Sequence, residues 1–146
     1  MGQGYLAAVR NNGESNPGTY VAVVLLAAAG FYVYHVAPVY WDNMEAKEAA
    51  SEALSVCVLS GEEVARNTLK YRLNNNPGTS HFEVDDEGVE SIKPGYGLKD
   101  ENITFTIDEK TKKIVVRVEY DRIVEFSPLK KRKSFHLVAE KIGTIK

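Results

Sequence analysis

One uninterrupted apolar stretch, Tyr20 to Trp41, constrains this chain more than any other feature. Its 22 residues contain no Asp, Glu, Lys or Arg. As a helix rising about 1.5 Å per residue it reaches about 33 Å, enough for the ~30 Å hydrocarbon core of a bilayer. Tyr20 at one end and Tyr34, Tyr40 and Trp41 at the other are the expected membrane-interface residues, because amphipathic rings favour the headgroup layer. Two rival readings fit less well. A core helix of a soluble domain must be covered on all sides, and the rather polar sequence that follows could hardly wrap it. A cleavable signal peptide has an apolar core of about 7–15 residues close to the N-terminus, ending at a small-x-small site. Here the stretch starts late and leaves through Ala37-Pro38-Val39-Tyr40-Trp41. The expectation is an uncleaved transmembrane helix over residues 19–41, after a flexible polar leader (1–18) and before an extracytoplasmic α+β domain (42–146).

The flanking charges orient the span. Arg10 and the amino terminus oppose Glu14 on one side, while Asp42 and Glu45 precede Lys47 on the other. The positive excess places the leader in the cytoplasm and the bulk of the chain outside. Within the span Ala22, Ala27 and Gly30, with Ala28 and Ala29, form a small-residue surface. Such surfaces let helices approach closely in lipid, so Ala22, Ala27 and Gly30 are the candidate helix-packing positions. Pro38 removes one backbone hydrogen bond and is expected to bend the helix before the aromatic belt.

Beyond the span, a net charge of −2 argues against a nucleic-acid partner. The single Cys57 excludes an intrachain disulfide and a cysteine-cluster metal site, and reads as a small apolar filler. Asn43 to Leu59 is rich in Ala, Glu and Leu, with Met44, Ala50, Leu54, Cys57 and Val58 at helical spacing, so an amphipathic helix is expected. A second helix over Ser60–Leu73 starts at a capping box of Ser60 and Glu63, with Val64, Ala65, Thr68, Leu69 and Leu73 on one face. Asn74 to Gly78 ends it.

The remainder alternates like β-sheet. His81–Val84 is a short strand and Asp85–Lys99 a loop. Ile103, Phe105 and Ile107 mark a strand, and Ile114, Val116, Val118 and Tyr120 its return after the turn at 109–112. Ile123–Phe126 resumes the pattern after a break, and Phe135–Ile142 closes the sheet. The expected fold class is α+β, with amphipathic helices on an antiparallel sheet of about four strands.

Catalytic signatures are absent: there is no P-loop, GxGxxG, GxSxG, HExxH or CxxC. The expectation is a non-enzyme with no cofactor and no metal. His35 lies near the outer end of the span, where an interfacial or interhelical hydrogen bond is the leading reading and a haem or proton role the lesser one. The basic run Lys130, Lys131, Arg132 and Lys133 is the strongest charge feature. As a solvated hairpin tip it deters edge pairing; as a candidate partner-docking site it meets anionic headgroups or an acidic surface. Acids dominate residues 80–121 and bases residues 127–146, a segregation that would let copies dock head to tail.

From Gly18 onward the layout resembles an uncharacterised family of small single-span bacterial membrane proteins with prepilin-like anchors. Pro38-Val39-Tyr40, Glu62-Glu63 with Tyr71-Arg72-Leu73-Asn74, and Val118-Glu119-Tyr120 carry the resemblance. More distantly the chain is similar to type IV pilins, in which an apolar helix runs into an amphipathic one backed by an antiparallel sheet. A prepilin cleavage would fall after Gly18, but Val23 stands where pilins carry an acid, and no Lys or Arg directly precedes Gly18. The resemblance implies the bacterial inner membrane, with the lipid bilayer and other membrane or envelope proteins, or copies of itself, as partners. The small-residue face of the span and the basic run point to a structural or accessory subunit of an envelope assembly. The alternatives are a pilin-like or pseudopilin-like filament subunit, and a membrane enzyme accessory lending His35 to a cofactor.

Overall fold

The computed structural model describes residues 17–127 and 129–144. The chain divides into two compact units, Met1–Val33 and Tyr34–Lys146. The expected leader lies outside the described residues, apart from Pro17 and Gly18.

Helix α1 is Pro17–Ser60, a single run of 44 residues. The helix does not stop at Pro38, so the expected membrane helix and the expected amphipathic helix are one element. Residues 17–34 are exposed on every side. This is the one helix long and apolar enough to cross a membrane among the described residues. From Val36 onward one face is buried: Val36, Val39, Asp42, Ala46, Ala49, Ala50, Ala53 and Cys57, at steps of three and four.

That buried face corrects the expected one. Met44 and Val58 are exposed and alanines take their place. Small side chains bring the helix backbone close to the sheet: a methyl added at Gly143 would lie 2.3 Å from Leu54 Cδ2. Gly61, at φ 91°, joins α1 to helix α2 (Glu62–Asn74), and its N–H donates to the Cys57 carbonyl at 3.0 Å. The expected capping box is absent, because Ser60 belongs to α1 and α2 has no side-chain cap. Ala65, Leu69 and Leu73 bury the inner face of α2, while Val64 is exposed.

The expected four-stranded sheet is instead two antiparallel sheets, one of two strands and one of three. Strand β1 (Ser80–Val84) pairs with β2 (Glu90–Pro94) within the segment expected to be a loop. Asp85 makes the turn between them, its Oδ1 accepting from the amides of Glu87 and Val89. Strands β3 (Ile103–Asp108), β4 (Lys113–Phe126) and β5 (Lys131–Thr144) form the larger sheet in sequence order. The break expected before Ile123 does not occur, and β5 begins at Lys131 rather than Phe135. Ile114, Val116, Val118 and Tyr120 project from one face of β4 into a core shared with the alanines of α1 and with Leu69 and Leu73. Each fully buried leucine contributes about 1.5–3 kcal/mol by leaving water.

Candidate functional site at the base of the apolar helix

Asp42 follows the apolar stretch by one residue and reads as its first solvated charge, but it is buried. Arg122 Nε lies 2.9 Å from Asp42 Oδ2, and Thr79 Oγ1 donates to the same oxygen at 3.0 Å. The Tyr96 hydroxyl donates to the Asp42 backbone carbonyl at 2.6 Å. Tyr96 meets Tyr120 edge to face, with ring centroids 5.0 Å apart. Arg122 also donates to the Ser80 carbonyl. Three segments therefore converge on the helix at this point: the residue before β1, the loop after β2, and β4.

Burial holds the Asp42 carboxyl above its ordinary range, against the pull of Arg122 and Thr79. The Tyr96 and Tyr120 phenols are likewise raised, first by burial and then by the Asp42 charge. A carboxyl whose folded value exceeds its unfolded one adds stability below the unfolded value and loses it as pH rises through the folded value. The stability advantage of the wild type over Asp42→Asn should therefore be greater at about pH 4, near the ordinary carboxylate value, than at about pH 7. Urea unfolding of the full chain in detergent at both pH values checks this.

The two tyrosines should respond differently to loss of their hydroxyls. The buried Tyr120 hydroxyl has no hydrogen-bond partner among the described residues, so Tyr120→Phe should be neutral or slightly stabilising. Tyr96→Phe should cost about 1 kcal/mol, the net contribution of one hydrogen bond, since the Asp42 carbonyl keeps its partner within α1. Comparing the two unfolding midpoints checks this.

Seven helical residues before Asp42, His35 is half-buried and stacks on Phe126, with centroids 5.4 Å apart and planes 25° apart. On the opposite side of the helix Tyr34 is 78% exposed, Tyr40 66% and Trp41 68%. Tyr20, Ala22, Ala27 and Gly30 are also exposed, and nothing lies within 4 Å of a Cβ placed at Gly30. The expected interface and helix-packing positions are thus uncovered surface.

The basic run is not a loop throughout. Lys130, at φ 49°, is in the turn, whereas Lys131, Arg132 and Lys133 begin β5. Arg132 is engaged within the fold, 2.8 Å from Glu90 and 3.4 Å from Glu125, and lies over the Phe82 ring. Lys133 Nζ sits 5.0 Å from the Phe135 centroid. Lys130 and Lys131 make no ion pair among the described residues.

His81, Asp85 and His136 have separate partners. His81 Nδ1 is 2.9 Å from the Gly95 carbonyl, Asp85 holds its turn, and His136 Nδ1 is 2.9 Å from Asp121. No group of three metal-ligating side chains occurs among the described residues. A shallow cleft of about 210 Å³ lies between His81, Tyr96, Gly97 and Tyr120. Cys57 is buried, and burial raises its thiol.

The Asp42–Arg122 pair escaped sequence reasoning, but it left a signal. Arg122 occupies an inward position in the β4 alternation, between Tyr120 and Val124, and was readable as an interruption of the strand. A charge at an inward position of a strand needs a buried counter-charge. No family model, curated protein or solved structure matches this chain.

Proposed function

We propose that this protein is a non-enzymatic, single-pass membrane-anchored subunit that structures or assists an envelope or membrane assembly, with its folded unit outside the cytoplasm. The observation that carries the reading is the division of α1. Its first 18 residues expose apolar side chains to every side, and the same uninterrupted helix then supplies the alanine face on which the folded unit is built. The exposed small residues Ala22, Ala27 and Gly30 would serve lateral packing in lipid. A pilin-like filament subunit is the second reading, favoured by the same continuity of the helix and by the segregation of acids and bases.

Extraction in mild detergent, followed by size and composition analysis, separates the two. A stable complex with other proteins supports the accessory reading. A homopolymer lacking residues 1–18 supports the filament. A monodisperse monomer with its leader intact and no partner in several detergents contradicts both.

A further inference from the structure

We infer that the turn between β4 and β5 is a second membrane contact, which docks on anionic phospholipid headgroups beside the anchor. The inference rests on the membrane-anchored reading of α1. Its first support is the direction of β4. Arg122 meets Asp42, and four residues on Phe126 meets His35. That step is about 13 Å along a strand, and from Asp42 back to His35 is about 10 Å along a helix. Strand β4 therefore runs toward the N-terminal end of the folded unit, the end from which the apolar segment leaves. The turn beyond Phe126 continues in that direction.

The second support is depth. Tyr34, Tyr40 and Trp41 occupy the same stretch of α1 on the face turned away from the sheet, and rings of this kind settle in the headgroup layer. If that layer brackets residues 34–41 on one side of the helix, the end of β4 lies in it on the other.

The third support is chemistry. Leu129, 63% exposed, stands at the turn, followed by Lys130 and Lys131, which have no acidic partner among the described residues. Lys131 and Lys133 pair with Phe126 and Val124, on the face of the sheet that meets α1. An exposed apolar residue flanked by free lysines suits a surface that is apolar below and anionic above. An acidic protein would satisfy the lysines, but it gives no reason for Leu129 or for the match in level with the aromatic residues.

The test uses the full chain, with Cys57→Ala, reconstituted in vesicles of phosphatidylcholine with or without phosphatidylglycerol. An environment-sensitive fluorophore is placed at Ser127→Cys, or at Thr111→Cys in the turn at the other end of β4. Lipids carrying a headgroup-level quencher read proximity. The Ser127 probe should be quenched in phosphatidylglycerol vesicles and the Thr111 probe should not. Quenching should fall in pure phosphatidylcholine, in high salt, and with Lys130→Glu, Lys131→Glu and Lys133→Glu. Each lysine charge lost should weaken docking about fivefold, so each reversal to Glu should weaken it by more than that. Equal signals from the two probes, or no response to phosphatidylglycerol, would overturn the inference. So would shielding of Ser127 in native membranes alone, which indicates an acidic protein. Resistance to alkaline extraction keeps the two readings apart. A retained chain with an unquenched tip refutes only the lipid contact, whereas a released chain refutes the anchor and the contact together.

Discussion

Replacing Gly95 by alanine is expected to destabilise the folded unit by at least about 3 kcal/mol, a large fraction of the stability of a domain this size. Gly95 ends the β1–β2 hairpin at φ 86°, a left-handed conformation that L side chains rarely adopt. A Cβ there would lie 1.9 Å from the Asn74 carbonyl oxygen, which is backbone and cannot swing aside. The crowding exists because the chain is tied to Thr79 at Gly95 itself and to the end of α2 just beyond it. Gly95 N–H donates to Thr79 at 2.8 Å, Tyr96 N–H to Leu73 at 3.2 Å, and the Asn74 side chain bonds both backbone groups of Leu98. Moving Gly95 away would therefore pull Tyr96 off Asp42. Gly88 is the control. It has a similar φ of 79° with nothing within 4 Å of an added Cβ, so Gly88→Ala should cost only about 1–2 kcal/mol of backbone strain. Urea midpoints of the two variants, read by far-ultraviolet circular dichroism, check the pair. Equal losses would show that the packing on Asn74 is unimportant.

Asp42→Ala should cost about 3 kcal/mol, the lower part of the range for breaking a buried ion pair, because the Arg122 side chain keeps 17% exposure. Loss of the carboxylate strands a guanidinium that cannot give up its proton. It also leaves the Thr79 hydroxyl without its acceptor. Adding Arg122→Met should recover part of the loss, since a methionine fills the same space without charge. A double-mutant cycle measures the coupling. A double variant whose loss equals the sum of the losses of Asp42→Ala and Arg122→Met would mean that the pair contributes nothing beyond its separate contacts.

The parts of the fold legible in sequence were those set by local period and by length. The apolar run, the inner face of α2, the end of α2 at Asn74 and the alternation of β3 and β4 each follow from residues close together in the chain. The errors share a cause in long-range contacts. Nothing local shows that α1 passes through Pro38, because packing of Val36 before that residue and of Val39, Asp42 and Ala46 after it holds the helix together. Strand β2 reads as an acidic loop because all five of its residues are exposed, and the Asp85 turn and pairing with β1 define it. The break assigned before Ile123 was Arg122 turned inward to a partner eighty residues earlier. The basic run looked uniform, yet Glu90 and Glu125 engage Arg132, while Lys130 and Lys131 have no acidic partner among the described residues.

The central claim is that the exposed apolar part of α1 crosses a membrane, with the folded unit on the far side from the leader. The most direct measurement is labelling of single cysteines with a membrane-impermeant maleimide in intact cells, in a Cys57→Ala background. The account predicts that Ser80→Cys is labelled from outside and Ser15→Cys only after the cells are opened. Labelling of both from outside, of neither, or release of the protein without detergent, would contradict it.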